Sequence, residues 1–284
     1  MFQTDLLKGK RILVTGGGTG LGRSMAHRFL ELGANVVICG RREDVLKQTA
    51  DELAKETGGE IETVGCDVRV ADAVEAMMDR IWEKRPLDIL VNNAAGQILT
   101  QTHKMSPRAI DAVLGIVLHG SAYCTVAAGR RWIEAGERDK VVMSILTVSS
   151  LMGAPFTVPS AMAKAGVLAM TKSLAVEWGP KGIRTCAIVP GPFPTEGAWS
   201  RLMPKERGGN DALLKTIPLR RVGEHIELAN LAAFLVSDGA AFINGDAIVI
   251  DGGKMLQSGG GGANTNAMLE WTDEQWDAIR PKKK

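Results

Sequence analysis

Short runs of aliphatic and β-branched residues alternate along this chain with longer segments whose apolar positions recur every three or four residues. The pattern predicts strands at 12–14, 35–39, 61–65, 87–91, 141–148, 184–189 and 247–250. It predicts helices at 21–32, 43–56, 71–84, 106–131, 160–178 and 224–236. Gly33 stops the first helix, and Ser106-Pro107 opens the fourth with a hydroxyl at the N-cap and proline at the first helical position. Thr272-Asp273-Glu274-Gln275 is a capping-box pattern that predicts one short final helix. Strand and helix in strict alternation predict an α/β fold, a doubly wound parallel sheet of Rossmann-like form. No internal repeat or linker interrupts residues 1–284, so one domain is expected. A mobile substrate lid is expected at about 191–213, rich in Gly and Pro, and a C-terminal extension at 258–284 containing the glycine run 259–262 and a frayed lysine tail.

Composition narrows the function classes. The chain has 284 residues, 45% hydrophobic and 23% charged, with a formal net charge of +2, which calls for neither nucleic acid nor a membrane as partner. The four cysteines, Cys39, Cys66, Cys124 and Cys186, form no CxxC or His/Cys cluster. Buried free thiols are expected, and no metal. No signal-peptide pattern precedes the first strand and no apolar run is read as reaching the length of about eighteen residues for a membrane span. The expected location is cytoplasmic.

Thr15-Gly16-Gly17-Gly18-Thr19-Gly20-Leu21-Gly22 falls between the first strand and the first helix. Glycines there let backbone approach a diphosphate, and the helix N-terminus offers unpaired N–H groups with partial positive charge. Gly16, Gly18, Thr19, Gly20, Leu21 and Gly22 are therefore candidate dinucleotide contacts. A cofactor carrying a free ribose 2′-hydroxyl is met by an acidic residue at the end of the second strand. This chain has Cys39-Gly40-Arg41-Arg42 instead. Two guanidiniums suit a 2′-phosphate, so Arg41 and Arg42 point to NADP(H), unless they are only a solvated basic helix start.

Taken with Cys66-Asp67-Val68, Asn92-Asn93-Ala94-Ala95-Gly96, Lys164, Pro190-Gly191-Pro192 and Asp251-Gly252-Gly253, that turn resembles the short-chain dehydrogenase/reductase family over essentially the whole chain. The resemblance implies that Asp67 and Val68 flank adenine, that Asn93 and Ala94 support the sheet and cofactor, that Lys164 holds the nicotinamide ribose, and that Pro190, Gly191 and Phe193 lie along the nicotinamide. Residues 116–120, 158–167 and 190–202, with Gln275-Trp276-Asp277 in the tail, look like the 2,4-dienoyl-CoA reductase branch. That branch implies an acyl-CoA substrate, with Arg69 and Arg201 as candidates for its CoA end or as surface ion-pairing groups. It also implies a homotetramer assembled through the two long helices.

Most members of the family use Tyr-x-x-x-Lys, the phenol giving a proton to a carbonyl oxygen. Here the motif is Ser160-x-x-x-Lys164, and the single tyrosine, Tyr123, lies in the long helix as a packing residue. A serine hydroxyl is a poor general acid. Carbonyl reduction needs such an acid, whereas conjugate reduction of an unsaturated thioester spreads charge over an enolate that hydrogen-bond donors can hold. The dienoyl-CoA reductase branch likewise has serine at this position. Yet Ser149 stands where that branch has tyrosine and His119 where it has asparagine. Thr147, Ser149, Ser160 and His119 are thus candidate catalytic donors beside Lys164. His119 could equally be a packed helix residue, and Ser149 and Ser150 loop hydroxyls. The expected activity is NADPH-dependent reduction of unsaturated acyl thioesters such as 2,4-dienoyl-CoA. The alternatives are a related oxidoreductase of another carbonyl or alcohol, and a non-catalytic NADP-binding protein.

Overall fold

A computed structural model describes residues 2–195, 209–258 and 266–279. Its seven strands are β1 (Arg11–Thr15), β2 (Asn35–Gly40), β3 (Ile61–Gly65), β4 (Ile89–Asn92), β5 (Lys140–Ile145), β6 (Ile183–Pro190) and β7 (Ala247–Ile250). They form one parallel sheet in the order β3-β2-β1-β4-β5-β6-β7. The order reverses between β1 and β4, and it is outside the C-terminal ends of strands at such a reversal that open α/β sheets bind ligands.

The strands read as continuous apolar runs because both faces of the sheet are covered. Side chains alternate between two cores. On one face Ile12, Val14, Val36, Ile38, Ile89 and Val91 meet helices α1 (Gly20–Glu31), α2 (Glu43–Thr57) and α9 (His225–Val236). On the other, Leu13, Val37, Leu90 and Val142 meet α3 (Ala71–Lys84) and α5 (Gly120–Glu134). In α1 the buried residues Gly22, Met25, Ala26, Phe29 and Leu30 follow the spacing of one helical stripe. The N-terminal ends of the strands are tied by buried Arg11, whose guanidinium donates to the carbonyls of Ile81 and Arg85 and to Glu62. This polar cluster sits at the opposite end of the sheet from the candidate site.

The long fourth helix is not regular. It runs as α4 (Pro107–Leu114), a π-helical segment Gly115–His119, and then α5. Hydrophobic spacing alone does not reveal such an insertion. The combined span Pro107–Glu134 has a mean hydropathy of 1.5 in its most apolar window and is long enough to cross a membrane, which corrects the expectation that no apolar run has that length. Half of that window is buried inside the protein, as for a core helix. Strand β5 is also shorter than expected. It ends at Ile145, and Thr147 lies beyond it, because the Thr147 carbonyl accepts the Ser150 N–H and starts the one-turn helix α6 (Ser149–Met152).

Helix α7 (Val158–Trp178) crosses the end of β5. Short helices α8 (Gly209–Lys215), α10 (Lys254–Ser258) and α11 (Asp273–Ile279) complete the described chain. The capping box at Thr272 forms as expected, with the Thr272 N–H donating to Gln275 Oε1 at 2.9 Å and the Gln275 N–H to Thr272 Oγ1 at 3.4 Å. Arg201 and most of the expected lid lie outside the described residues, as do the glycine run 259–262 and the lysine tail.

Candidate active site

The glycine turn after β1 is built by close backbone contacts. Gly16 and Gly20 take φ of +66° and +54°, a region L side chains rarely adopt. At Gly22 an added Cβ would lie 2.5 Å from Asn93 Nδ2 and nearer still to the Gly16 carbonyl oxygen. Thr15 Oγ1 accepts the backbone N–H groups of Asn93 and Ala94, each at 3.0 Å, and Asn93 Nδ2 donates to the Thr15 carbonyl at 2.9 Å. The β1 turn and the β4 turn are thereby locked together across the switch point. Thr19 caps α1 without a side-chain hydrogen bond, and no acidic residue lies in its first turn, so the helix N-terminus keeps unneutralised N–H groups. This cradle, closed to a Cβ at Gly17 and Gly22 and lined by free donors, fits the diphosphate of a dinucleotide.

Arg41 and Arg42 follow β2 and are exposed. Neither makes a hydrogen bond within the described residues, although Arg41 is close enough to Asp67 to help hold its carboxyl below the ordinary value. The larger cause is Arg69, whose Nε donates to Asp67 Oδ1 at 2.9 Å. Arg69 is thus ion-paired with the residue expected at adenine. Val68 is buried against Gly120, where a Cβ would come within 2.7 Å of its methyl group.

At the other half of the cleft, Gly191 donates its N–H to the Ile250 carbonyl at 2.9 Å and packs on Asp251. Phe193 is buried in the core against Gly223, so only its backbone is left for a cofactor. Asp251 accepts the N–H groups of Gly253 and Met255 at 2.8 and 2.7 Å, which assigns the Asp-Gly-Gly motif to capping of α10.

Lys164 is buried, and its ammonium donates to the carbonyl of Ile145 at the end of β5. Burial pushes its pKa down to about 8. Ser160 lies one turn earlier on the same helix and is buried as well. Thr147 and Ser149 leave the end of β5, half-buried. The hydroxyls of Thr147, Ser149 and Ser160 have no hydrogen-bond partner among the described residues, so their donors are available to a ligand. The π-helical segment packs on α7 through Val117 against Ala163 and Leu118 against Gly166. His119 closes that segment with an exposed ring 6.0 Å from that of Tyr123, and it forms no hydrogen bond to the three hydroxyls. Tyr123 packs with the α3/α5 core. All four cysteines are free and buried. Burial pushes Cys66 up to about 11 and Cys186 up to about 12.

Two features of this cleft were not anticipated. The Thr15 hydroxyl joins two strands, although it begins the recognised motif. Ser24 and His225, far apart in sequence, are hydrogen-bonded at 2.8 Å beside the glycine turn, and no local pattern marks them.

Comparison with known proteins agrees with this geometry. The family model described as Enoyl-(Acyl carrier protein) reductase matches residues 16–254. A Caenorhabditis elegans protein named "Probable 2,4-dienoyl-CoA reductase 3 [(3E)-enoyl-CoA-producing]" is 44% identical over 98% of this chain and 91% of its own. A Bacillus subtilis protein named "Probable 2,4-dienoyl-CoA reductase [(2E)-enoyl-CoA-producing]" is 40% identical over 87% of this chain and 97% of its own. Among solved structures, a short chain dehydrogenase from Bacillus anthracis superposes with a TM-score of 0.77 at 41% identity, covering 86% of this chain and 96% of that one. With a parallel seven-stranded sheet, a glycine turn at its switch point and a buried lysine opposite, the chain belongs to the short-chain dehydrogenase/reductase family of oxidoreductases, which bind a nicotinamide cofactor.

Proposed function

We propose that this protein reduces α,β-unsaturated acyl thioesters, 2,4-dienoyl-CoA first among them, with NADPH. The observation that carries the reading is the pair Ser160 and Lys164. The position one turn before the buried lysine holds a hydroxyl, and the single tyrosine of the chain, Tyr123, packs on the α3/α5 core. An active site without a phenolic acid is suited to a reaction whose charge is delocalised rather than localised on an alkoxide.

NADPH supplies a hydride when bound. The residues that would hold it are the 16–22 turn and the N-terminus of α1 for the diphosphate, Arg41 and Arg42 for the 2′-phosphate, Asp67 and Val68 at adenine, Asn93 and Ala94 as support for the sheet and cofactor, Lys164 at the nicotinamide ribose, and the backbone of Pro190, Gly191 and Phe193 along the nicotinamide. Reduction of a dienoyl thioester at its far carbon leaves negative charge shared with the thioester oxygen. The hydroxyls of Thr147, Ser149 and Ser160, with His119 as a further candidate, are the donors proposed to hold that oxygen, and the Lys164 charge favours it. A proton from water then enters next to the carbonyl, giving a 3-enoyl product, or at the third carbon from the thioester, giving a 2-enoyl product. Relatives are named for both outcomes. Arg69, and Arg201 outside the described residues, remain candidates for the CoA phosphates.

Exposed Val126 on α5 and Met162 and Val176 on α7 support a homotetramer formed through these helices. Four free thiols are in keeping with the cytosol. The test is NADPH oxidation with 2,4-dienoyl-CoA, a 2-enoyl-CoA and a 3-ketoacyl-CoA side by side. Turnover of the dienoyl thioester is expected. Turnover of the ketoacyl thioester alone would overturn the reading in favour of a carbonyl reductase, and binding without turnover of any would favour a non-catalytic role.

A further inference from the structure

We propose that His225 is a positioning residue for the dinucleotide, joining Ser24 of α1 to the carbonyl of Pro194 and so holding the segment after β6 over the glycine turn. The inference rests on the cofactor reading above and adds a residue outside every motif that supports it.

His225 is the first residue of α9. Its Nε2 lies 2.6 Å from the Pro194 carbonyl oxygen and its Nδ1 lies 2.8 Å from Ser24 Oγ. A carbonyl can only accept, so Nε2 carries the proton. In the neutral ring Nδ1 then presents a lone pair, and the Ser24 hydroxyl donates to it. The alternative acceptor for that hydroxyl, the Gly20 carbonyl, is farther away at 3.1 Å. The result is a directed chain from α1 through the imidazole to the loop that follows the nicotinamide segment, with every donor and acceptor satisfied.

Neighbouring contacts give the chain its purpose. The Gly223 N–H donates to the Pro192 carbonyl at 2.9 Å, and the Phe193 ring fills the space a Gly223 side chain would need. Thr195 lies over Gly20, its methyl 3.2 Å from where a Cβ on that glycine would be. Gly20 is the residue at which the glycine turn enters α1. The 192–195 segment is therefore held from α9 on one side and from α1 on the other, and His225 is the side chain that reaches both. Loss of the link frees the backbone that flanks the helix N-terminus and must be re-ordered when dinucleotide binds.

The experiment titrates the full-length protein with NADPH and NADH, read by protein fluorescence, alongside thermal unfolding without ligand. His225→Phe keeps a ring but no hydrogen bond. It is expected to raise the Kd for the preferred dinucleotide about tenfold, and the cofactor KM with it, while kcat at saturation and the ligand-free Tm change little. His225→Gln, which retains an N–H directed at Pro194, is expected to recover most of the affinity. Adding Ser24→Ala to His225→Phe is expected to cost nothing further. An unchanged Kd in His225→Phe overturns the proposal while leaving the cofactor reading intact. A loss matched by an equal fall in ligand-free stability and not recovered by His225→Gln overturns it in favour of a purely structural histidine. Failure of the unaltered protein to bind either dinucleotide overturns the cofactor reading and this proposal together.

Discussion

Lys164 donates its ammonium hydrogen bond to the backbone carbonyl of Ile145, with burial as the one cause that lowers its pKa, to about 8. In the unfolded chain the amine titrates at its ordinary 10.5. Below pH 8 the group is charged in both states, and the full cost of burying the charge opposes folding. Between the two values the folded protein has shed the proton while the unfolded chain keeps it, so the cost fades as pH rises. The span corresponds to about 3 kcal/mol. Lys164→Met removes the group, together with a hydrogen bond whose loss is largely independent of pH. Relative to that variant, the unaltered protein should gain about 3 kcal/mol between pH 7 and pH 10.5 in urea unfolding. A stability difference that stays flat over that interval would show that the amine is not buried as described.

The same lysine sets an expectation for catalysis. Its positive charge is present below pH 8 and lost above it, so kcat for the unsaturated thioester should fall as pH rises through about 8. Lys164→Arg stays charged throughout and should flatten that limb, whatever activity it retains. A limb that persists in the arginine variant would belong to another group.

Gly22 leaves room for a hydrogen and nothing more, facing Asn93 Nδ2 and the Gly16 carbonyl. Both neighbours are fixed, since Asn93 Nδ2 donates to Thr15 and the Gly16 N–H donates to the Cys39 carbonyl at 2.8 Å. Gly22→Ala must therefore push two strands' turns apart, at a cost of about 1–3 kcal/mol. Gly18→Ala meets the side-chain ends of Leu46 and Val45, at 3.2 and 3.5 Å, and should cost less. Chemical unfolding of the two variants checks the ranking. Equal stability would mean that the β1 and β4 turns are not locked.

The strands were legible because a parallel sheet covered on both faces demands uninterrupted apolar runs, and β3, α3 and β7 fall at the residues the pattern marks. The glycine turn was legible because few sequences tolerate that chemistry between a strand and a helix. The π-helical segment at 115–119 was not, since one extra residue per turn leaves the apolar count almost unchanged. Leu146, Thr147 and Val148 suit a strand by side-chain type. The backbone there is instead committed to a turn by hydrogen bonds made from Ser150 and Leu151. His225 and Ser24 carry no signal at all, because their partnership exists only once α1 and α9 share a face of the sheet.

Arg41 and Arg42 are exposed, with no hydrogen bond among the described residues, at the end of β2 where a 2′-phosphate is expected. A charged hydrogen bond to phosphate is worth about 1.5–3 kcal/mol. Arg41→Ala should accordingly raise the Kd for NADPH about ten- to a hundredfold and leave NADH within a few-fold. The difference between the two cofactors should shrink as salt is added. Equal loss for both dinucleotides would assign the guanidinium to the fold or to the Asp67 carboxylate instead.

Ser160 offers the sharpest separation of binding from chemistry. Its hydroxyl lies one turn from Lys164, buried, with no partner among the described residues. A donor of this kind strengthens its bond as charge develops on the thioester oxygen, so its removal should lower kcat more than it raises KM. Ser160→Ala is expected to reduce kcat for 2,4-dienoyl-CoA about ten- to a hundredfold, with the Kd for NADPH unchanged. Thr147→Val, which exchanges a hydroxyl for a methyl of similar shape, should act in the same direction if both hydroxyls hold one oxygen. The double variant should then lose less than the product of the two single effects. Product analysis in deuterated water completes the experiment. Because the proton comes from water, one deuterium per turnover is expected at the protonated carbon, in the unaltered protein and in every variant, even as the rate falls. A product that lacks this deuterium would show that the added proton does not come from an exchangeable source, and would overturn protonation by water.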